Sequence, residues 1–128
     1  MPARRRFWYQ LQASKSEARL AVDLHNRAGE ARHLEAFIVH MSLAWLKLLQ
    51  AVYDKENREK DLYARGPRGR RRRTADGDWL MKPLQRLLEE QYEENDPVRV
   101  NLEFFLAWIH RSAGECAVVR MLGGHWAV

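Results

Sequence analysis

Residues 34–53, LEAFIVHMSLAWLKLLQAVY, carry more apolar surface at helical spacing than any other part of the chain, and their reading decides the fold. Leu34, Phe37, Ile38, Met41, Trp45, Leu48, Leu49 and Val52 follow the i, i+3, i+4, i+7 rule, while Leu46 and Tyr53 widen the stripe. A stripe of this width predicts one continuous helix buried against several partners. Its most damaging substitution is then Trp45→Ala, at about 3–5 kcal/mol if Trp45 is buried. The stretch also approaches the roughly 20 residues that a bilayer span needs. Lys47 near a span centre costs about 2.5–3.5 kcal/mol on insertion scales, and His40, Ser42 and Gln50 add polar groups, so the stretch reads as a core helix with no membrane involved.

The 128 residues suffice for one domain with a core of its own. A composition of 46% hydrophobic and 30% charged residues is that of a globular chain. The formal charge of +5 and a pI near 9.7 favour anionic partners such as nucleic acid. Cys116 is the single cysteine, which excludes an intrachain disulfide and a thiolate metal cluster. The basic start is followed by Gln10, Gln12, Ser14, Lys15 and Ser16 and lacks the apolar segment of a signal peptide, so the expected location is the cytoplasm.

Taken in order, the chain divides into a basic N-terminal segment at 1–13, a helical domain at 14–109 and an atypical tail at 110–128. The first helix is expected at 14–26, with Ser14 or Ser16 as N-cap and Leu20, Ala21 and Leu24 as its apolar face. After Tyr53 the sequence turns densely charged and the apolar periodicity stops near Asn57. Leu62 and Tyr63 can pair with residues near Arg73 and Thr74 around a turn at Gly66-Pro67-Arg68-Gly69. The leucines at 80, 84, 87 and 88 predict a third helix at about 79–92, its start limited by Pro83. Its acidic end, Glu89, Glu90, Glu93 and Glu94, is placed to face the arginines. Asp96-Pro97 is the clearest helix start, an aspartate to cap free amides followed by a proline that needs no N–H partner. The fourth helix, 97–109, presents Val98, Leu102, Phe105, Leu106 and Ile109. The fold class is therefore all-α, a small four-helix-bundle-like domain with a basic loop or short β-hairpin inserted between helices 2 and 3.

Arg68, Arg70, Arg71, Arg72 and Arg73 are the most concentrated charge in the chain and the candidate nucleic-acid-binding residues, because such a run can neutralise phosphates. The competing reading is a solvated loop, since no aromatic residue interleaves the arginines in sequence to stack on bases.

Several stretches resemble the bacterial family known as domain of unknown function 3644 (DUF3644). They are Lys15-Ser-Glu-Ala-Arg-Leu-Ala-Val-Asp-Leu-His-Asn26, the Trp45-bearing helix, the Asp76-Gly77-Asp78 turn and Asn95-Asp-Pro-Val-Arg-Val-Asn-Leu-Glu-Phe-Phe-Leu106. The resemblance covers about Lys15 to Trp108, and its Asn-Leu-Glu-Phe-Phe core is the most specific part. In that family the fourth helix continues into an Arg-Asn-x-Ile-Glu-His-Arg segment, similar to the Arg-x4-His signature of HEPN-type helical domains. Many of those are metal-independent ribonucleases acting as dimers, so the resemblance implies RNA as a partner and a homodimer as an assembly to test. Here Trp108 is followed by Ile-His-Arg-Ser-Ala-Gly, without that continuation, which points to a frameshifted or truncated end and away from an active enzyme.

Arg120 and His125 do have Arg-x4-His spacing. With seventeen arginines and five histidines, chance supplies roughly 0.7 such pairs, and Gly123-Gly124 weakens any helix that would hold both on one face. Glu30-x-x-His33 with His40 invites a metal, but a di-metal bundle needs a second such motif and further glutamates. No cofactor motif is present. Two functions remain: a nucleic-acid-facing helical module related to HEPN-type proteins and lacking their catalytic motif, or a helical protein–protein interaction domain with a decorative basic loop. Salt-dependent RNA affinity separates them.

Overall fold

The computed structural model describes residues 3–27 and 33–113. Four helices follow in order: α1 (Ala3–Asn26), α2 (His33–Lys55), α3 (Leu84–Gln91) and α4 (Pro97–Ala113), with one 3-10 turn at Glu59–Leu62. The architecture is the all-α one that the periodicity predicts.

α1 begins at Ala3, well ahead of the expected start at Ser14. A seam of small residues joins it to α2. Ser14 and Ala21 on α1, and Ala44 and Ala51 on α2, are buried, each pair one heptad apart, and small side chains let two antiparallel helices approach closely. Ser14 is therefore no N-cap. It sits mid-helix and donates its hydroxyl proton to the Ala44 carbonyl at 2.7 Å. Along the same seam His40 Nδ1 lies 2.8 Å from Glu17 Oε2, and Lys55 rests 5.9 Å from the centre of the Phe7 ring. At its far end Arg6 Nε lies 3.2 Å from Oδ2 of the buried Asp54, and its Nη2 donates to Oδ1 at 3.4 Å. Leu20, expected on the apolar face, is 40% exposed.

On α2 the buried positions are Ile38, Ser42, Leu46, Leu49, Tyr53 and Asp54, together with the two seam alanines. Leu34 is exposed at the helix start and Trp45 is half-buried against the core. By length and composition α2 could cross a membrane. In this fold α1 lies along one side of it, while Leu84, Leu87 and Leu88 of α3 and Leu102, Leu106 and Ile109 of α4 complete the core on the other. The helix closes on Asn57, whose φ of 58° is left-handed. Asn57 N–H donates to the Asp54 carbonyl at 3.1 Å and Arg58 N–H to the Tyr53 carbonyl at 2.7 Å, the paired bonds of a Schellman stop.

Asp96 caps α4 as expected, its Oδ1 accepting from Val98 N–H at 2.8 Å. α3 is shorter than expected. Trp79 to Lys82 are not helical, and regular structure begins after Pro83, which holds φ −71° and ψ 165°. The two helices are tied by Gln85 to Glu103 and by Arg99, which donates to the carbonyl of Tyr92 at 3.2 Å.

Two polar groups in this core carry testable consequences. Ser42 is fully buried and its hydroxyl has no hydrogen-bond partner. Stranding a hydroxyl costs about 1–3 kcal/mol, so Ser42→Ala is expected to stabilise the domain by about 1 kcal/mol in thermal melts. Tyr53 is buried, with Arg58 4.5 Å over its ring and Glu90 Oε1 accepting from its hydroxyl at 3.4 Å. Burial first, and the Glu90 carboxylate second, push this phenol above its ordinary value of 10.0, with Arg58 pulling the other way. The unfolded chain then releases the proton at lower pH than the folded one, so stability falls as pH rises beyond about 10. Melts from pH 9 to 11 should show this decline, and Tyr53→Phe should flatten it; Tyr92, raised by burial and by Asp96, supplies the remainder.

Candidate nucleic-acid interface

Between the 3-10 turn and α3 the chain makes three short extended segments centred on Ala64, Arg72 and Leu80, eight residues apart. Each segment pairs with both of the others. Arg72 N–H donates to the Ala64 carbonyl at 2.9 Å, Leu80 N–H to the Arg72 carbonyl at 2.8 Å, and Ala64 N–H to the Leu80 carbonyl at 2.8 Å. A second round of bonds, Gly66 to Arg70, Thr74 to Asp78 and Lys82 to Leu62, closes the outer end of each pairing at 2.7–2.8 Å. The result is a pseudo-threefold ring. The expected hairpin has the right register, but Tyr63 leaves it to bridge Met81.

The turn chemistry explains why the segments fold this way. Pro67-Arg68-Gly69, between the paired Gly66 and Arg70, and Ala75-Asp76-Gly77, between Thr74 and Asp78, are both three-residue hairpin connections, with Gly69 at φ 75° and Gly77 at φ 90°. A type I turn followed by a left-handed glycine is the common solution for that loop length, and proline suits its first position. At the third corner Lys82-Pro83 leads into α3. The ring is fixed to the bundle there: Leu62 is buried in the core, and Lys82 Nζ lies 2.8 Å from Glu90 Oε2.

The bridges Tyr63–Met81, Arg65–Arg71 and Arg73–Trp79 are each flanked by hydrogen bonds on both sides, so they are the close-approach pairs of an antiparallel ladder. Because side chains alternate along an extended segment, these six residues share one face. Their contacts agree with that placement. The Arg71 guanidinium lies 4.7 Å from the Tyr63 ring centre and 5.5 Å from that of Trp79, and Arg73 lies 3.9 Å over Trp79. Arg73 Nη1 also donates to the Gly77 carbonyl at 2.7 Å, and Arg65 Nη1 makes the equivalent bond to Gly69 at 3.0 Å.

The ring thus divides the five arginines singled out from the sequence. Arg71 and Arg73 join Arg65 on the aromatic face, Arg70 and Arg72 alternate to the reverse, and Arg68 sits at a hairpin tip. Arg68, Arg70 and Arg72 are exposed, and among the described residues their side chains have no ion-pair or hydrogen-bond partner. The acidic end of α3 does not face them as expected: Glu90 is taken by Lys82 and Arg86, and Glu89 by Arg86 and Gln85. Residues 62–82 hold six arginines and Lys82 against Asp76 and Asp78, an excess equal to the +5 of the whole chain. Everything outside the ring is charge-balanced.

Sequence reasoning missed Tyr63, Arg65, Trp79 and Met81. The Gly-to-Gly spacing of eight between residues 69 and 77 is the signal that could have found them, since it repeats a turn and so brings a third segment round. Among the described residues no cluster of His, Cys, Asp or Glu is arranged to hold a metal ion, and His40 is paired with Glu17. Glu30, Arg120 and His125 lie outside the described residues.

Residues 9–117 match the family described as Domain of unknown function (DUF3644). The chain belongs to the DUF3644 family. The DUF3644 match takes in all of α2, the ring, α3 and α4, and runs on past Trp108. No curated protein and no solved structure matches the chain.

Proposed function

We propose that this DUF3644 chain is a nucleic-acid-facing helical module, related to HEPN-type RNA-targeting proteins, that binds RNA through Arg68, Arg70, Arg71, Arg72 and Arg73 without cutting it. The observation that carries the reading is charge placement: the net excess of the chain sits in one hydrogen-bonded ring, and three of its arginines have no carboxylate among the described residues to neutralise them. Unpaired cations on a fixed scaffold release counterions from a phosphate backbone at little ordering cost. The absence of the Arg-Asn-x-Ile-Glu-His continuation after Trp108 supports binding without hydrolysis. In the test, a labelled RNA single strand is titrated with the protein at several salt concentrations, and the strand is examined afterwards for cleavage. Contact with four or five phosphates predicts a log–log salt slope of about −3 to −3.5 with the strand intact. Salt-independent affinity, or cleavage, refutes the proposal.

The second reading, a protein–protein interaction domain, has one observation in its favour. Val100 and Phe104, one turn apart on α4, are 50% and 60% exposed. It predicts no RNA affinity beyond weak non-specific binding.

A further inference from the structure

We infer that the ring face formed by Tyr63, Arg65, Arg71, Arg73, Trp79 and Met81 takes the unpaired bases of a single-stranded nucleic acid. The inference rests on the RNA-binding reading above and names how that site holds its ligand. Trp79 and Met81 are each 40% exposed, in the midst of three arginines. A surface that met only phosphates would gain nothing from an exposed indole and thioether. Bases present both a π face and an attached negative charge, and single-strand binders meet them with aromatic rings and guanidinium planes together. Here the fold supplies the interleaving that the linear sequence lacks, in the order Tyr63, Arg71, Trp79, Arg73.

The face is also fixed before any ligand arrives. Arg65 and Arg73 are each held by a glycine carbonyl, and Arg73 is stacked on Trp79, so their planes are set by the ring. Ordering costs on binding are correspondingly small. In a duplex the bases stack on one another and are unavailable, which leaves the face only its charge to offer. Arg68 at the tip and Arg70 and Arg72 on the reverse remain for the phosphates of a strand that passes over the edge.

The test uses fluorescence anisotropy with three labelled ligands of one length: a uridine-rich RNA single strand, the same strand with abasic positions, and an RNA duplex. The wild-type chain should prefer the base-bearing strand to the abasic one by about tenfold, the scale of one stacked base. Trp79→Leu should lose that preference while keeping its affinity for the abasic strand, and Trp79→Phe should retain most of it. Equal binding of the base-bearing and abasic strands by the wild type overturns the stacking inference and leaves the RNA-binding reading standing. Binding of no oligonucleotide overturns both, as does capture by phosphatidylserine vesicles without oligonucleotide affinity. The wild-type comparison between strands decides the matter even if a Trp79 variant fails to fold.

Discussion

Leu49→Ala should destabilise the domain by about 2–5 kcal/mol, more than Trp45→Ala, and should lower the urea midpoint accordingly. Leu49 is 2% exposed and belongs to the cluster in which α2, α3 and α4 meet, so truncation removes buried methyl groups and leaves a void that three helices cannot jointly close. Against a total stability of about 5–15 kcal/mol for a domain, that is a large fraction. Trp45, which the periodicity marks as the critical residue, is half-buried and can keep part of its surface in water in either state. A Leu49→Ala change of under about 1 kcal/mol would mean that the core is not where these contacts place it.

The displacement from Trp45 to Leu49 shows how far the sequence can be read. α2 is apolar nearly all round, so its hydrophobic stripe locates the helix but not its rotation. Leu46 and Tyr53, marginal by periodicity, are at the centre of the core, because the small residues Ala44 and Ala51 mark the side where α1 approaches. Small residues carry little weight in a hydrophobic stripe, so Ser14 reads as a cap rather than as part of the α1–α2 seam that it forms with Ala21. By contrast, the Asp96-Pro97 start of α4 was fully legible, since a cap and a proline act locally and need no partner helix.

Replacing Arg68, Arg70, Arg71, Arg72 and Arg73 together with serine should abolish most RNA affinity and flatten its salt dependence. Each phosphate contact on a single strand contributes about 0.7 to the log–log slope. If all five contribute, the wild-type affinity falls about a hundredfold between 50 and 200 mM salt, and the variant should change little over that range. Helical circular dichroism should be unaltered, because none of the five lies in a helix or in the core. An unchanged slope would reject these arginines as the contact and leave the interaction-domain reading as the one to pursue.

The site was legible in part, and for a physical reason. Charge density is a property of sequence, so the arginine run was visible. Which arginines share a face depends on pairing with a segment eight residues further on, and no local pattern marks Trp79, which reads as the opening of a helix until Pro83 is found to delay it. Stacking geometry is a product of the ring and appears only once the three segments are closed.

One property of that ring reaches beyond binding. Lys82 N–H donates to the Leu62 carbonyl at 2.7 Å, so the chain leaves the bundle and returns to it through adjacent backbone positions. Leu62 belongs to the core and Lys82 is tied to α3, and the nineteen residues between them are an excursion that, among the described residues, makes no hydrogen bond or ion pair to any of the four helices. The excursion can be lengthened at its tips, recharged, exchanged or excised for a tight turn without altering the path of α2 or α3. The helical frame and the ring are thereby free to change separately, and the bundle's packing need not be solved again when the ring changes.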